Sequence, residues 1–479
     1  MNKNFILSSI ARLNMMFAGL MMFPFLVGII YKEPLSYRLN FLIPAIIILL
    51  IGYILKIKTT FKKTFNTKDA LTLVALCWIL YSLFGAIPFY LYPNDFNTFF
   101  DAFFESVAGF STTGATIARD VESLPHSLIF WRSFGQFIGG LGIISLTVAI
   151  LPKQSKKSTM ILKAESVGPT FGKITPRVSE QSKVLYTIYI TMTLITIGLL
   201  WIGDLNLFDS IIYGLGAAGT GGFANKDLSI GYYNSTYTEI ILAISMFLFS
   251  VNFNIYYAAF FKKSKNFLKS EELKWYLIML LVSMVLIFAN TFNIYERLGR
   301  QMVDVVFAVT SMSSTTGYVG NNTSAWPIFS RIILAGLMYI GGMAGSTAGG
   351  LKMSRFVLLV KSASNQFRMT INPNRITVVD FEEKTVDERI QQSVMSYFII
   401  HILIFFALFA IVAIDINDFL EVFTAVATTY NGLGQFGEAQ SFYELRETSK
   451  FVLSFAMLLG RLEIYPLLLL LSPSTYKRK

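Results

Sequence analysis

Cysteine, histidine and charge are all scarce in this sequence of 479 residues. The one cysteine, Cys77, excludes an internal disulfide and a thiolate metal cluster, and the two histidines, His126 and His401, lie far apart without other ligand types near them. No pair of nucleophile and base can be assembled, which disfavours an enzyme. Only 14% of the residues are charged and 54% are hydrophobic, a balance too apolar for a water-facing surface. The composition therefore predicts an integral membrane protein.

The net charge of +11 is unevenly distributed along the chain. Segment 152–183 has seven basic residues against two acidic ones, whereas segment 93–126 has five acidic residues against one arginine. Short basic loops stay cytoplasmic, which predicts cytoplasmic termini and places 93–126 outside. No basic stripe is interleaved with stacking aromatic residues, so topology and anionic lipid explain the charge better than nucleic acid. The predicted cytoplasmic segments are 57–69, 152–183, 262–274 and 477–479.

Apolar runs divide the chain into an N-terminal hairpin and four similar units. Residues 1–30 and 41–55 form two runs that no small-residue cleavage site follows, so we interpret them as an uncleaved transmembrane hairpin. Each later unit has a spanning run, a short apolar segment, a loop and a second spanning run. The predicted domains are the hairpin at 1–69 and the repeats at 70–183, 184–271, 272–390 and 391–479.

An acidic residue followed thirteen positions later by a glycine occurs once in each unit. About ten residues, such as Ala102–Phe110 in the first unit, make ~15 Å of helix, half of the ~30 Å hydrocarbon thickness. Such a segment has to enter the membrane and return, which predicts an all-α membrane protein with four parallel membrane-pore-membrane repeats around one pore. A favourable charge at the helix start explains the acidic residues better than direct ion binding. The four stretches are Asp101–Gly114, Asp209–Gly222, Asp304–Gly317 and Glu421–Gly434.

Backbone rich in threonine and glycine follows each short helix. Irregular backbone at membrane depth is tolerated only where it is buried in protein or lines a water-filled cavity. Four such strands would form a ring of carbonyl oxygens that replaces the hydration shell of a cation, and the helix C-termini would add partial negative charge. The predicted filter residues are Thr112, Thr113, Gly114, Thr220, Gly221, Gly222, Thr315, Thr316, Gly317, Gly432, Leu433 and Gly434.

The third unit contains a glycine-rich interruption, residues 341–352, in an otherwise very long helix. The spacing of Gly341, Gly345 and Gly349 is typical of close helix packing, but so many glycines also permit an unwound, movable plug. Both interpretations are open on the residues alone. Arg461 lies near the middle of the last spanning run, where a costly charge usually serves a function. The residues assigned to a gate are Gly345, Ser346, Thr347, Gly349, Gly350, Lys352 and Arg461.

Six motifs occur in order along residues 70–472. They are STTGA from Ser111, FWRSFGQFIGGLGII from Phe130, TGGF from Thr220, STTGY from Ser314, GSTAGGLK from Gly345 and LGRLE from Leu459. Together they resemble the Trk/Ktr/HKT superfamily of potassium transporters, and most of all its bacterial Trk-type membrane subunits. The resemblance implies potassium (K+) uptake across the bacterial plasma (inner) membrane, with one filter glycine per repeat, an intramembrane gating loop at 341–352 and a charge beneath the filter at Arg461.

The resemblance also bears on selectivity and partners. Members with serine in place of Gly114 tend toward sodium, so this chain is similar to the potassium-permeable pattern. Gly432 competes with Gly434 as the fourth filter glycine, and the spacing of thirteen favours Gly434. The family implies a homodimer with a cytosolic ring of nucleotide-binding regulatory subunits, docked on 152–183, 262–274 and 361–390, and no organic cofactor in this chain. The alternatives are a symporter coupled to protons or sodium and, less favoured, a membrane enzyme.

Overall fold

The computed structural model of the chain describes residues 2–59, 66–92, 95–142, 178–260, 269–320, 325–373, 378–434 and 442–473. Within these ranges the chain is helical apart from one short β-hairpin. Six of the described helices are long and apolar enough to span a membrane, or seven if one bent pair counts as a single span. The prediction of an all-α membrane protein is confirmed.

The N-terminal hairpin comes first, as predicted. Helices α1 (Lys3–Leu20) and α2 (Met22–Ile30) together form one span, and α3 (Leu35–Lys58) returns against α1. Buried Phe17 stacks on Tyr81 of the first repeat, with the ring centroids 4.7 Å apart. The hairpin is therefore packed on the body of the molecule through aromatic contacts.

Four repeats follow, each with a long helix, a short pore helix and a second membrane helix that ends or breaks early. Repeat 1 has α4 (Thr67–Tyr90), α5 (Phe99–Phe110) and α6 (His126–Leu141), and repeat 2 has α7 (Val178–Ile202), α8 (Leu207–Gly219), α9 (Thr236–Ser250) and α10 (Phe253–Phe260). Repeat 3 has α11 (Glu271–Thr291), α12 (Leu298–Ser313), α13 (Ile328–Ile340) and α14 (Met353–Ile371), and repeat 4 has α15 (Glu388–Val412), α16 (Phe419–Asn431), α17 (Glu447–Leu462) and α18 (Tyr465–Leu471).

Polar caps start three of the four pore helices. In α5 the Asp101 N–H donates to Thr98 Oγ1 over 3.2 Å and the Thr98 N–H donates to Asp101 Oδ2 over 3.0 Å, which satisfies two amide groups that the helix start leaves open. Asp209 and Glu421 also lie in first turns. The prediction that each acidic residue lies at the start of its pore helix is wrong for Asp304, because α12 begins six residues earlier, at Leu298.

Breaks interrupt the second helices. The spanning runs that the sequence predicts at 239–261 and 451–471 are each divided into two helices: α9 and α10 meet at 89°, and Glu463 and Ile464 take positive φ between α17 and α18. In repeat 1, α6 ends at Gly142, whose φ of +80° suits glycine. The rest of the run predicted at 127–151 lies outside the described residues.

The repeats close into a ring through one recurring contact. The second membrane helix of each repeat packs on the pore helix of the next: α6 on α8, α9 on α12, α13 on α16 and α17 on α5. The last of these contacts joins repeat 4 to repeat 1. Since each pore helix is wedged between two repeats, the four helix C-termini converge on a common centre.

A small β-hairpin between α14 and α15 was not predicted. Strands β1 (Asp380–Phe381) and β2 (Lys384–Thr385) pair antiparallel, with Asp380 opposite Thr385. The turn residues Glu382 and Glu383 both take left-handed backbone, with φ of 53° and 59°. Glycine and asparagine favour such a turn, so nothing in the sequence signals it.

Candidate ion-conduction site

The same backbone turn ends all four pore helices. Where each pore helix ends, one residue takes left-handed backbone, and the next amide donates to a carbonyl five residues earlier: Thr113 to Ala108 over 2.9 Å and Leu433 to Thr428 over 2.9 Å, for example. This pattern closes a helix C-terminus and turns the chain sharply away from the helix axis. The left-handed residues are Thr112, Thr220, Thr315 and Gly432, with φ of 58°, 53°, 56° and 73°.

The position of this left-handed residue bears on whether Gly432 or Gly434 is the fourth filter glycine. In the first three segments the candidate filter glycine follows the left-handed residue by two positions, as Gly114 follows Thr112. Gly432 takes the place of Thr112, so Gly434 takes the place of Gly114. The left-handed backbone at Gly432 is therefore the helix cap, and the geometry supports Gly434 as the fourth filter glycine.

The segments lie edge to edge, with no space for a side chain at three of their glycines. A Cβ at Gly114 would overlap the carbonyl oxygen of Gly221, and one at Gly222 would overlap that of Thr316. A Cβ at Gly434 would likewise overlap the carbonyl of Gly114. Contacts therefore join segment 1 to segment 2, segment 2 to segment 3, and segment 4 back to segment 1.

The hydroxyl groups of the filter segments are engaged inside the protein. Ser111 Oγ lies 2.8 Å from Thr113 Oγ1, and Ser314 Oγ lies 2.7 Å from Thr316 Oγ1 in the equivalent positions. All four side chains are buried. Backbone carbonyl oxygens are the groups best placed to serve an ion here, as expected for a carbonyl filter.

A buried ion pair braces the backbone just beyond the first segment, and sequence reasoning missed it. Arg132 of α6 donates to Glu105 of pore helix α5 over 2.7 Å, and both side chains are almost fully buried. Glu105 also accepts the amide of Ile117 over 2.9 Å, while Arg132 donates to the carbonyl of Ala224 in repeat 2 over 3.1 Å. Glu105, in the middle of a pore helix that is mostly apolar, was the available signal.

A vestibule of about 270 Å³ lies directly outside the filter glycines. The guanidinium of Arg119 sits 3.5 Å above the ring of Tyr443, and Lys226 binds Glu122 over 2.7 Å, a hydrogen bond that raises the pKa of the Lys226 amine. Asp101, which could have lined an acidic mouth, is instead buried against Lys450. Residues lining the vestibule include Gly114, Gly222, Arg119, Arg132, Lys226, Asp227 and Tyr443.

The interruption at 341–352 is an unwound loop that contacts the filter segments. Helix α13 ends at Ile340 and α14 begins at Met353, so helix packing through a GxxxG motif is wrong for this stretch. The Gly349 amide donates to Thr315 Oγ1 over 2.6 Å, and the Gly350 amide donates to the carbonyl of Asn431 over 3.0 Å. The loop thus lies against the third and fourth segments.

Repeat 2 holds the other half of the loop at the break between α9 and α10. The Met343 amide donates to the carbonyl of Ser250 over 3.0 Å, and the Phe253 amide donates to that of Gly345 over 3.1 Å. Thr347 Oγ1 donates to the carbonyl of Phe249 over 3.1 Å. The helix break that the sequence did not reveal therefore supplies the polar backbone that binds the loop.

Arg461 connects the loop to repeat 1. One guanidinium nitrogen donates to the carbonyl of Thr347 over 2.8 Å, and the other donates to the carbonyls of Gly139 and Gly140. Lys352 donates to the carbonyl of Ala348 within the loop itself. With Arg461 included, the loop has contacts to all four repeats.

Comparison with known proteins agrees with this architecture. A family model described as TrkH, cation transport protein, matches residues 38–477. The chain belongs to the TrkH family. It is 32% identical to the Trk system potassium uptake protein TrkH of Salmonella typhimurium (strain LT2) over 473 residues, which cover 96% of this chain and 97% of that protein. It is also 32% identical to the Trk system potassium uptake protein TrkG of Escherichia coli K12 over 466 residues, 94% of this chain and 93% of that protein.

A solved member of the TrkH family has the same fold. The crystal structure of the potassium transporter TrkH from Vibrio parahaemolyticus matches with a TM-score of 0.90 and 28% identity, and the match covers 100% of both chains. This confirms the arrangement of four membrane-pore-membrane repeats. It also agrees with transport, since the relatives are named as transporters and not as enzymes.

Proposed function

We propose that this TrkH-family protein takes up potassium across the bacterial inner membrane through a channel-like pore. Its filter comprises the four strands 112–114, 220–222, 315–317 and 432–434. The observation that carries the proposal is their shared geometry: the same turn ends all four pore helices, the glycine stands at the same position after it, and Gly114, Gly222 and Gly434 pack against carbonyls of neighbouring strands. An inside-negative potential drives cation entry with about 2.3 kcal/mol per charge per 100 mV.

The loop 341–352 acts as the gate in this proposal. Its amides engage Thr315 and Asn431, the residues at the cytoplasmic side of two filter strands. Arg461 anchors it through the carbonyl of Thr347 and places a positive charge beneath the filter. A cation leaving the filter meets this loop, so conduction requires the loop to move.

A homodimer with a cytosolic ring of regulatory subunits completes the proposal. The end of α14 supports a docking role for 361–390, since Phe367 and Ile371 are 68% and 61% exposed beside basic side chains. Of the other two docking segments, residues 152–177 and 262–268 lie outside the described residues. The family membership is the main support for these partners.

Tracer flux tests the proposal. The purified protein in lipid vesicles should take up potassium and rubidium under an inside-negative potential, and sodium much more slowly. Uptake with the potential but without a proton or sodium gradient distinguishes a channel-like pore from the symporter alternative. If vesicles with the protein take up no more potassium than empty vesicles, the proposed function is wrong.

A further inference from the structure

A carboxylate in repeat 3 holds both ends of the gating loop. Glu272, the second residue of α11, is only 5% exposed. Its Oε1 accepts the amide of Ala344 over 2.8 Å and the amide of Ser354 over 3.0 Å. Ala344 lies near the start of the loop and Ser354 directly after it, so one oxygen atom ties the two ends together.

The β-hairpin 380–385 holds Glu272 in turn. Glu382 Oε1 accepts the hydroxyl of Ser270 over 2.7 Å and the amide of Glu272 over 3.1 Å. Lys361 of α14 binds both Glu271 and, over 2.6 Å, the carbonyl of Asp380. The hairpin is thus fastened to the start of α11, directly beside the residue that contacts the loop.

The loop keeps its position only while these polar contacts are intact. Both amides are buried and share one acceptor oxygen, and a buried amide that loses its acceptor is costly. The left-handed turn at Glu382 and Glu383 is unfavourable for these residue types, so the contacts of the hairpin hold it in this shape. A change at the hairpin therefore reaches the loop through a short series of polar contacts.

We propose that Glu272 is a positioning residue of the gate and that the hairpin 380–385 sets its position. While Glu382 holds the start of α11, Glu272 keeps the loop in the closed arrangement. Displacing the hairpin on the cytoplasmic side withdraws Glu272 from Ala344 and Ser354 and frees the loop. This inference rests on the proposed function, because it assigns a control element to the same gate.

Rubidium flux into vesicles, with the full-length protein and no partner present, tests the role of Glu272. Glu272→Leu removes the acceptor of both amides and should raise the basal flux roughly tenfold, a fold-change that corresponds to about 1.4 kcal/mol. Glu272→Gln keeps an acceptor oxygen and should stay close to wild type. Should Glu272→Leu not fold, Glu272→Asp replaces it: its oxygen is one methylene too short, so its flux should exceed that of Glu272→Gln.

A double-mutant cycle tests the link to the hairpin. Glu382→Leu should raise the flux, and adding Glu272→Leu should give no more than Glu272→Leu alone, because both act on one contact series. Glu388→Gln, at the exposed start of α15 outside the hairpin, is the control and should leave the flux unchanged. If wild type conducts and the Glu272 variants all match it, or if the two effects add, the inference is overturned. If wild type does not conduct, the proposed function itself is wrong.

Discussion

At the level of single residues, the proposed filter depends on positions where a side chain has no space. Gly114 combines a φ of +82° with a carbonyl oxygen of the next strand in the place of its missing Cβ. Either constraint would favour glycine, and together they exclude other residues without a shift of backbone. The selectivity proposed here is therefore a property of how closely two strands approach.

Substituting Gly114 tests this constraint. Gly114→Ala and Gly114→Ser should push the first strand away from Gly221, which distorts the ring of carbonyls. We expect potassium uptake to fall and the sodium-to-potassium permeability ratio to rise, measured by tracer flux in vesicles. Gly198→Ala is the matched control, because Gly198 of α7 has no atom within 4 Å of an added Cβ. An unchanged permeability ratio in Gly114→Ser would contradict the filter assignment.

Replacing Arg132 tests the brace behind the filter. Arg132→Gln leaves Glu105 buried without its charge partner, and breaking a buried pair in this way costs about 3–5 kcal/mol. We expect a markedly lower midpoint of thermal unfolding in detergent. Lys226→Gln, at the more exposed pair with Glu122, should cost only about 0–1 kcal/mol. If Arg132→Gln lowered the unfolding midpoint no more than Lys226→Gln does, the buried pair would not stabilise the fold.

The sequence indicates the positions of the proposed filter but not the groups that hold them in place. Gly114 and its counterparts stand out because a thirteen-residue spacing repeats four times. Glu105, Arg132 and Glu272 belong to no such repeat, and their partners lie in other helices or in backbone amides. Contacts of this kind depend on the three-dimensional arrangement, so spacing along the chain cannot reveal them.

At the level of elements, broken helices are the feature that separates this pore from a simple helical bundle. The break at 251–252 supplies carbonyls to the loop, and the end of α6 supplies carbonyls to Arg461. Only the break at 341–352 could be predicted, because only there do glycines dominate. Ordinary residues form the breaks at Val251 and Glu463, so tertiary contacts and not local preference account for them.

Shortening the loop tests its role as a gate. Deleting 343–351 removes its contacts to Thr315, Asn431 and Arg461 in one step. We expect a higher basal rubidium flux, while the sodium-to-potassium permeability ratio stays that of wild type because no filter residue is replaced. Unchanged flux would remove the gate from the proposal. A leak without ion selectivity would show instead that the loop supports the filter.

At the level of the whole molecule, ring closure and charge asymmetry together define an orientation. The contact of α17 with α5 closes the ring of pore helices, and the vestibule marks one face of that ring. The basic connections predict that the opposite side is cytoplasmic. The vestibule above the filter should then face outward, and the hairpin 380–385 inward.

Cysteine labelling in cells tests this orientation, and the scarcity of cysteine makes it simple. Cys77 is buried, and Cys77→Ala gives a background without thiols. In that background we expect Leu228→Cys, at a position 69% exposed beside the vestibule, to react with a membrane-impermeant maleimide on intact cells. Glu383→Cys, at the hairpin turn, should react only after permeabilisation. Labelling of Glu383→Cys on intact cells would invert the topology and place the proposed gate on the outer side of the filter.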